Sequence, residues 1–411
     1  MTRPILFVCS NQTHVRTFTP VARHLLARRG DIPVRWIALD AYYRHDAERT
    51  LRENGWDYTL LPRPLGEAGT PWEGGPLARL RVLLQGRRAV RSFLKSLHPG
   101  VIILGNDLGP LERLFIQKGR EMGIPSLLVQ DGVISLQPQP APRVSAPRRA
   151  LRAAMTALGL RMPDPKGYGQ NGTDRIAVMG EAVADFLKRE GVPPERIAVT
   201  GQPRYDVLFA LRQGAAQPES LDGLCLPEGQ KVILFSSQPY LRYNMCDEAK
   251  ARSIWRIVID GVKGLGPGHC LVAKLHPAED LEGTRRWLGG DFPAAWTLTR
   301  DADVLSLAFR ADAVVTVSST TALEALYLGK PVVILDAGVT SLPIPYVQSG
   351  AAFPAKDARE LTARLREGLY DTAVRARLTA AGAAFVAEHT HAADGGATER
   401  VGHEILALLD E

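Results

Sequence analysis

Four consecutive hydroxyl side chains form the most unusual cluster of this sequence: Ser318, Ser319, Thr320 and Thr321. They lie within AVVTVSSTTALEALYLGKPVVIL, residues 313–335, a pattern that predicts a strand, a short turn and a helix. Backbone amides at a helix start favour phosphate, and hydroxyl groups add further hydrogen-bond donors. The cluster therefore predicts phosphate binding.

A capping box is the structural explanation of the same residues. Thr321 and Glu324 have the spacing at which two side chains satisfy the free amides of a helix start. A cap needs only one hydroxyl, however, and four are present, so phosphate binding is favoured. Glu324 would either accept hydrogen bonds from ribose hydroxyls or only close the box, and the sequence leaves both open.

A lysine and a histidine end another predicted strand, in AKLHPAE, residues 273–279. Alternation along a strand places Lys274 and His276 on one side, and Pro277 ends the strand. An imidazole that titrates near neutral pH can protonate or hydrogen-bond a leaving phosphate. A lone His-Pro at a strand end is commonly structural, but beside a phosphate-binding turn it favours a catalytic His276.

Two aspartates follow strands in the first half of the chain. Asp131, in LLVQDGVIS, is the leading candidate for a general base, because its predicted position faces His276 across a cleft. An Asp-Gly pair after a strand is usually only a turn. Asp107, in LGNDLGP, is the second candidate, and helix capping is its structural alternative.

Other polar residues also follow predicted strands. Asn11 and His14, in CSNQTHVR, are candidates for acceptor contacts, although either would serve equally to start a helix. Ser237 and Gln238, in FSSQPY, are candidates for contacts to a base or phosphate. The D-x-D sequence at 301–303 precedes an amphipathic run, so we predict capping there and no metal site.

The elements that must position these residues are short apolar runs alternating with amphipathic ones, a pattern typical of parallel sheets covered by helices on both faces. The strands are predicted at 4–10, 33–39, 57–61, 100–105, 125–130, 174–180, 196–201, 231–237, 270–277, 295–299, 312–319 and 331–336. This predicts an α/β protein with two doubly wound, Rossmann-like domains that face each other across a cleft.

Domain bounds follow from where the periodicity is lost. We expect an N-terminal acceptor domain over 1–210, a linker over 211–229 and a C-terminal nucleotide-donor domain over 230–385. We expect the helix over 386–411 to return to the N-terminal domain. Ligands of open α/β sheets bind at the carboxyl ends of the strands, where the candidate residues fall.

Composition excludes several function classes. The 411 residues carry a formal charge of +6, which suits anionic small molecules, but no long basic run with interleaved aromatics indicates nucleic acid. Four scattered cysteines predict neither a disulfide framework nor a zinc site. No apolar run has the length of a membrane span, so a cytoplasmic protein is expected. The basic segment 141–163 would either contact an anionic membrane peripherally or form a solvated insertion.

The quoted motifs resemble those of bacterial GT-B glycosyltransferases that build capsule, teichoic acid or polysialic acid chains. QDG, KLHP and VSSTTALEALYLGKPVVIL carry this resemblance, supported by VPPERIAVTGQPRYDVL and FVAEHTHAADGGATERVGHEI. It implies Asp131 as the base that activates the acceptor, His276 on the donor phosphate and Ser318–Ser319 as the serine pair. Bacterial polysialyltransferases have a paired acidic D/E-D/E-G motif, and its first acidic position is Gln130 here, which argues against a sialic acid donor.

We therefore expect a glycosyltransferase that uses a nucleotide sugar and a glycan or glycolipid acceptor, without cofactor or metal. The KLHP string equally resembles CDP-glycerol glycerophosphotransferases. A UDP-GlcNAc 2-epimerase shares the expected architecture, and a non-catalytic nucleotide-binding scaffold is the alternative outside enzymes.

Overall fold

The computed structural model describes residues 2–43, 46–62, 76–134, 136, 145–157, 162–219, 221, 224, 229–242, 244–339 and 344–410. The chain forms two compact units. The first comprises Met1–Asp206 and Thr390–Glu411, and the second comprises Val207–His389. Each contains one parallel α/β sheet, as the sequence predicts.

The first unit contains a seven-stranded sheet. Its strands are β1 (Ile5–Cys9), β2 (Val34–Ala38), β3 (Tyr58–Leu60), β4 (Val101–Leu104), β5 (Ser126–Val129), β6 (Arg175–Val178) and β7 (Ile197–Val199). Their order is β3-β2-β1-β4-β5-β6-β7, and all pairs are parallel. The helices are α1 (Gln12–Arg28), α2 (Asp40–Tyr43), α3 (Ala47–Glu53), α4 (Pro76–Leu97), α5 (Pro110–Glu121), α6 (Ala146–Ala157) and α7 (Glu181–Arg189).

Helices cover both faces of this sheet. The central strand β1 is apolar at every position, so its side chains must be buried on both sides. Leu6 and Val8 of β1 pack into one core layer, with residues of α4 and α5. Ile5, Phe7 and Cys9 point the other way, into a layer with α1. A strand buried on both faces requires such a continuous apolar run.

The second unit contains a six-stranded parallel sheet in the order β10-β9-β8-β11-β12-β13. The strands are β8 (Lys231–Ser236), β9 (His269–Lys274), β10 (Thr297–Thr299), β11 (Ala313–Thr316), β12 (Val332–Leu335) and β13 (Phe353–Ala355). The helices are α8 (Asp206–Arg212), α9 (Glu248–Lys263), α10 (Leu281–Leu288), α11 (Val304–Arg310), α12 (Thr321–Tyr327), α13 (Ala358–Tyr370) and α14 (Thr372–Thr390). In both units the order reverses beside the first strand, which is the doubly wound Rossmann topology.

The last helix, α15 (Ala397–Asp410), packs in the first unit. Its apolar face joins the core layer of α1. The carboxylate of Asp206 accepts hydrogen bonds from the backbone N–H groups of Ala397 (3.1 Å) and Thr398 (2.7 Å), which caps the helix. Arg400 binds Asp394 and donates to the carbonyl of Thr200, so the closing DGGATER motif ties α15 to the end of β7.

One strand was missed and one local prediction was wrong. The strand β13 was not predicted, because it is only three residues long and contains Pro354, which an edge strand tolerates. The capping box from Thr321 does not form, because Thr321 is already the first helical residue. The Oγ atom of Ser319 accepts its N–H instead, at 3.2 Å. The prediction that Asp303 caps a helix is confirmed by its bond to the N–H of Ser306, at 2.7 Å.

Candidate active site: one polar cluster in each unit

The first cluster lies in the second unit, at the carboxyl ends of β8, β9 and β11. β8 and β11 are neighbours at the point where the strand order reverses, and β9 adjoins β8 on its other side. The loops after these three strands carry Ser237, His276 and Ser318. Ligands of open α/β sheets bind at such a point, so the fold brings the predicted phosphate residues to the expected edge.

Side-chain hydrogen bonds join the loops after β8 and β11. The Gln238 amide nitrogen lies 2.9 Å from the Ser318 hydroxyl. The Ser236 hydroxyl lies 3.3 Å from that of Ser319 and 3.0 Å from that of Thr321. Ser318, Ser319 and Thr320 are partly exposed, whereas Thr321 is buried. The hydroxyl groups therefore line one surface, and Ser318 and Ser319 stay predictions as phosphate ligands.

The loop after β9 is held by Glu279, a residue that the sequence did not single out. Its Oε2 atom accepts the backbone N–H of His276 at 2.7 Å, and its Oε1 atom accepts the hydroxyl of Ser237 at 3.0 Å. One carboxylate thus connects two strand-end loops. The position of Glu279, three residues after His276, gave no indication in the sequence that its carboxylate would bind these two loops.

The ring of His276 has a defined tautomer. Its Nδ1 atom accepts the backbone N–H of Ala278 at 3.0 Å, so in the neutral ring the proton is on Nε2. His276 is partly exposed. The Nε2–H group can therefore donate a hydrogen bond to a phosphate oxygen without a change of protonation.

Lys274 and Glu324 are more buried than the sequence suggested. The ammonium of Lys274 donates to the carbonyl of Leu275 at 2.7 Å, and the residue is 8% exposed. Glu324 is 1% exposed in the first turn of α12. Their proposed contacts to phosphate and ribose stay predictions.

The carboxyl of Glu279 predicts a pH dependence of stability. Burial raises its pKa from the usual 4.5 to about 7, partly offset by its hydrogen bonds to His276 and Ser237. The folded unit therefore binds more protons than the unfolded chain in this interval, and this contribution is complete below pH 4.5 and lost as the pH rises through 7. We expect the difference in Tm between Glu279→Gln and wild type (variant minus wild type) to increase from pH 5 to pH 8.

Differential scanning fluorimetry across this pH range measures the effect. Glu282→Gln removes an exposed carboxylate from the same unit and should leave the wild-type pH profile in place. Parallel profiles for wild type and Glu279→Gln would contradict the prediction.

The second cluster lies in the first unit, after β1, β4 and β5. The Nε2 atom of His14 is 3.2 Å from the Oδ2 atom of Asp131, without hydrogen-bond geometry. His14 is 1% exposed and Asp131 is 27% exposed. The carboxylate therefore faces outward with the imidazole behind it, and a substrate would meet Asp131 first.

Two features fix the imidazole of His14. The backbone N–H of Ser10 donates to its Nδ1 atom at 3.3 Å, which leaves the proton of the neutral ring on Nε2, facing Asp131. A Cβ atom on Gly105 would lie 2.5 Å from the ring, so glycine after β4 makes room for it. His14 is thus held in place behind Asp131, and its contact with an acceptor stays a prediction.

Two neighbours of this pair have structural contacts. The side chain of Asn11 accepts the N–H of His14 at 3.0 Å and caps α1. Gln130, which occupies the acidic position of the resemblance, accepts from the N–H of Met179 and donates to the carbonyl of Gly132. Gln130 is 1% exposed and fixes the turn that presents Asp131.

Asp107 is covered by the loop of residues 166–172. Its Oδ2 atom accepts both the backbone N–H and the side-chain amide of Asn171, each at 3.1 Å. Burial raises the pKa of Asp107, partly offset by these bonds. Burial also raises the pKa of the Tyr168 phenol, with contributions from Asp131 and Asp107. The glycine-rich sequence KGYGQNG was the available signal for this loop, and none of its residues was predicted to belong to the site.

Three further predictions concern metal and membrane contacts. Within the described ranges, no group of three or more His, Cys, Asp or Glu residues could hold a metal ion. No helix in those ranges is long and apolar enough to cross a bilayer. The described part of the basic segment 141–163 includes α6, while Arg143 and Arg161 lie outside the described residues. Peripheral membrane contact through this segment stays a prediction.

Comparison with protein families identifies a matching family model. A family model described as CDP-Glycerol:Poly(glycerophosphate) glycerophosphotransferase matches residues 186–407, which is more than half of the chain. The chain belongs to this family. The match includes His276, Glu279, Ser318 and Ser319, so the polar cluster of the second unit lies within the matched region. Asp131 lies outside it. A comparison with curated proteins finds no match.

Solved structures share the fold. The Neisseria meningitidis UDP-GlcNAc 2-epimerase, bound to UDP-GlcNAc, has a TM-score of 0.64 at 14% identity, covering 98% of this chain and 100% of the other. The Methanocaldococcus jannaschii UDP-GlcNAc 2-epimerase, in complex with UDP-GlcNAc and UDP, has 0.61 at 14%, covering 99% and 100%. The calicheamicin glycosyltransferase CalG4 has 0.60 at 16%, covering 100% and 99%. These similarities confirm two Rossmann-like domains, and the family supports a transferase.

Proposed function

We propose that this glycerophosphotransferase-family chain transfers a glycerophosphoryl group from a CDP-activated donor to an acceptor hydroxyl in a cell-envelope polymer. The observation that carries the proposal is the cluster of Ser318, Ser319 and His276 at the strand-order reversal of the second unit, within the family's matched region. The sequence had favoured sugar transfer over this reaction. The family match reverses that order of preference.

The donor half of the proposed reaction uses uncharged groups. The hydroxyls of Ser318 and Ser319 and the Nε2–H of His276 would hydrogen-bond the phosphates of the donor. Preorganised donors of this kind stabilise charge that develops on a leaving group. That structures of the same fold have been solved with UDP-GlcNAc or UDP supports a nucleotide donor for this chain.

The acceptor half uses Asp131 of the first unit. The acceptor oxygen attacks the phosphorus that carries glycerol, and the bond from this phosphorus to the bridging oxygen breaks. CMP leaves with the electron pair of that bond, and the hydroxyl proton passes to the carboxylate of Asp131. The products are an extended phosphodiester, CMP and one proton. His14 keeps the carboxylate oriented for this transfer.

A donor panel tests the proposal. The purified chain is incubated with CDP-glycerol, CMP-sialic acid or UDP-GlcNAc, with and without glycerol phosphate oligomers, and released nucleotides are separated by chromatography. We expect CMP from CDP-glycerol only when the acceptor is present. Turnover of a nucleotide sugar with an acceptor, and none of CDP-glycerol, would instead establish sugar transfer.

The same assay distinguishes an epimerase and a binding scaffold from a transferase. Product from UDP-GlcNAc alone would indicate a 2-epimerase, and nucleotide binding without any turnover would indicate a scaffold. Metal independence, expected from the sequence, is tested by adding EDTA to the reactions.

A further inference from the structure

Helix α4 in the first unit carries an unusual distribution of charge. Its 22 residues include six basic residues and no acidic residue. Val82, Leu83, Val90 and Leu94 are buried and fix the orientation of the helix on its own core. The opposite face is exposed and carries Arg81, Leu84, Arg88, Arg91 and Lys95.

These exposed residues form one stripe. Their spacing alternates between three and four positions, which keeps side chains on the same face of a helix. At 1.5 Å per residue, the four cations from Arg81 to Lys95 span about 21 Å. Within the part of the chain that the structure describes, Arg81, Arg88, Arg91 and Lys95 make no ion pair or hydrogen bond.

Some cations on or beside three other helices are paired with a carboxylate one helical turn away. Arg52 pairs with Glu48 in α3, and Arg252 pairs with Glu248 in α9. Lys356 pairs with Glu360 at the start of α13. On α4, by contrast, Arg88, Arg91 and Lys95 follow one another at like-charge spacings that destabilise a helix. A stripe that the chain leaves unneutralised fits an external anion.

We propose that the cations of the α4 stripe bind the acceptor polymer, a linear polyanion of phosphodiester-linked polyol units. They would contact units of the polymer at a distance from the terminal unit that the reaction extends. This inference rests on the proposed function, because such a polymer carries one negative charge per unit. Cations spaced one or two helical turns apart can meet several phosphates of one polymer chain. Ser92 and Ser96, exposed beside the stripe, can bind polyol hydroxyls.

A flat anionic membrane fits the same stripe less well. Interfacial helices insert an apolar face, but the apolar residues of α4 whose burial is described are buried or half-buried, apart from Leu84 at 40% exposure. The cations also form a single line rather than a broad basic patch. The acceptor polymer is therefore the ligand that we assign to the α4 stripe.

Fluorescence anisotropy with a labelled glycerol phosphate oligomer tests the proposal on the full chain. We expect Arg91→Glu and Arg88→Gln each to weaken binding by roughly tenfold at low salt, and to reduce the slope of log Kd against log salt, because fewer counterions are released. Arg91→Glu should not lower the Tm, since the new carboxylate can pair with Arg87, Arg88 and Lys95. A loss of binding is then separated from a loss of folding.

The control is Arg359→Glu, an equal charge reversal at an exposed position of α13. It should leave oligomer binding unchanged. The inference is overturned when the α4 variants bind the oligomer with wild-type affinity and salt slope. It is also overturned when they lose only binding to phosphatidylglycerol vesicles, which would identify a membrane as the occupant. CDP binding by wild type is measured separately. A failure of the proposed CDP-activated donor is thereby distinguished from a failure of polymer binding by α4.

Discussion

Replacing Asp131 by asparagine should lower CMP release in the presence of acceptor by about 10²- to 10⁴-fold, the range that a positioned general base contributes. Asparagine keeps the size of the side chain but accepts no proton. The carboxylate is the exposed member of the pair with His14, so its loss removes the group that a hydroxyl would meet. The KM for the donor should change little, because Asp131 has no proposed contact with the nucleotide.

Asp107→Asn is the matched comparison for this experiment. Asp107 is fully buried under the 166–172 loop and accepts two hydrogen bonds from Asn171. We expect its replacement to lower stability more than turnover, as judged by Tm and steady-state rates. A larger rate loss in Asp107→Asn than in Asp131→Asn would move the base to Asp107 and refute the assignment.

Replacing His276 by alanine should lower kcat by about 10²- to 10³-fold, which is typical when one preorganised donor is removed. The Nε2–H group of the neutral ring would no longer stabilise the leaving CMP. Single-turnover kinetics with saturating CDP-glycerol measure the chemical step without product release.

His269→Ala provides the control for this second prediction. His269 begins the strand that His276 follows, and its ring lies 2.7 Å from the hydroxyl of Tyr370. Its removal should affect stability only. Equal rate losses in the two variants would show that His276 acts through the fold rather than on the substrate.

The sequence predicted the sheets and the edge at which the site lies, because buried parallel strands are continuous apolar runs with distinct ends. It placed Ser318 and His276 after strands at the same edge of one sheet for this reason, but β8 lies between their two strands. It could not predict that Glu279 joins the loop of His276 to that of Ser237, since an acidic residue in a loop is normally solvated. The pairing of His14 with Asp131, far apart in sequence, depends on strand order and on the space left by Gly105.

The capping box shows a different limit of prediction from local residue spacing. The residue spacing from Thr321 to Glu324 satisfied the rule, but the helix began one residue earlier than the rule requires. Thr321 then bonds to Ser236 and Ser319 across the strand-order reversal. A tertiary contact thus decided the role of a residue that local spacing had assigned.

The central claim is that Ser318 and Ser319 bind the phosphates of a cytidine nucleotide. Calorimetric titration of CDP-glycerol into wild type, the Ser318→Ala/Ser319→Ala variant and Ser253→Ala tests it most directly, because it requires no acceptor. We expect binding by wild type and by Ser253→Ala, whose hydroxyl lies on the exposed face of α9. We expect affinity at least tenfold weaker for the double variant, which loses two hydrogen bonds to charged oxygens. Equal affinity in all three proteins, or no binding by wild type, would contradict it.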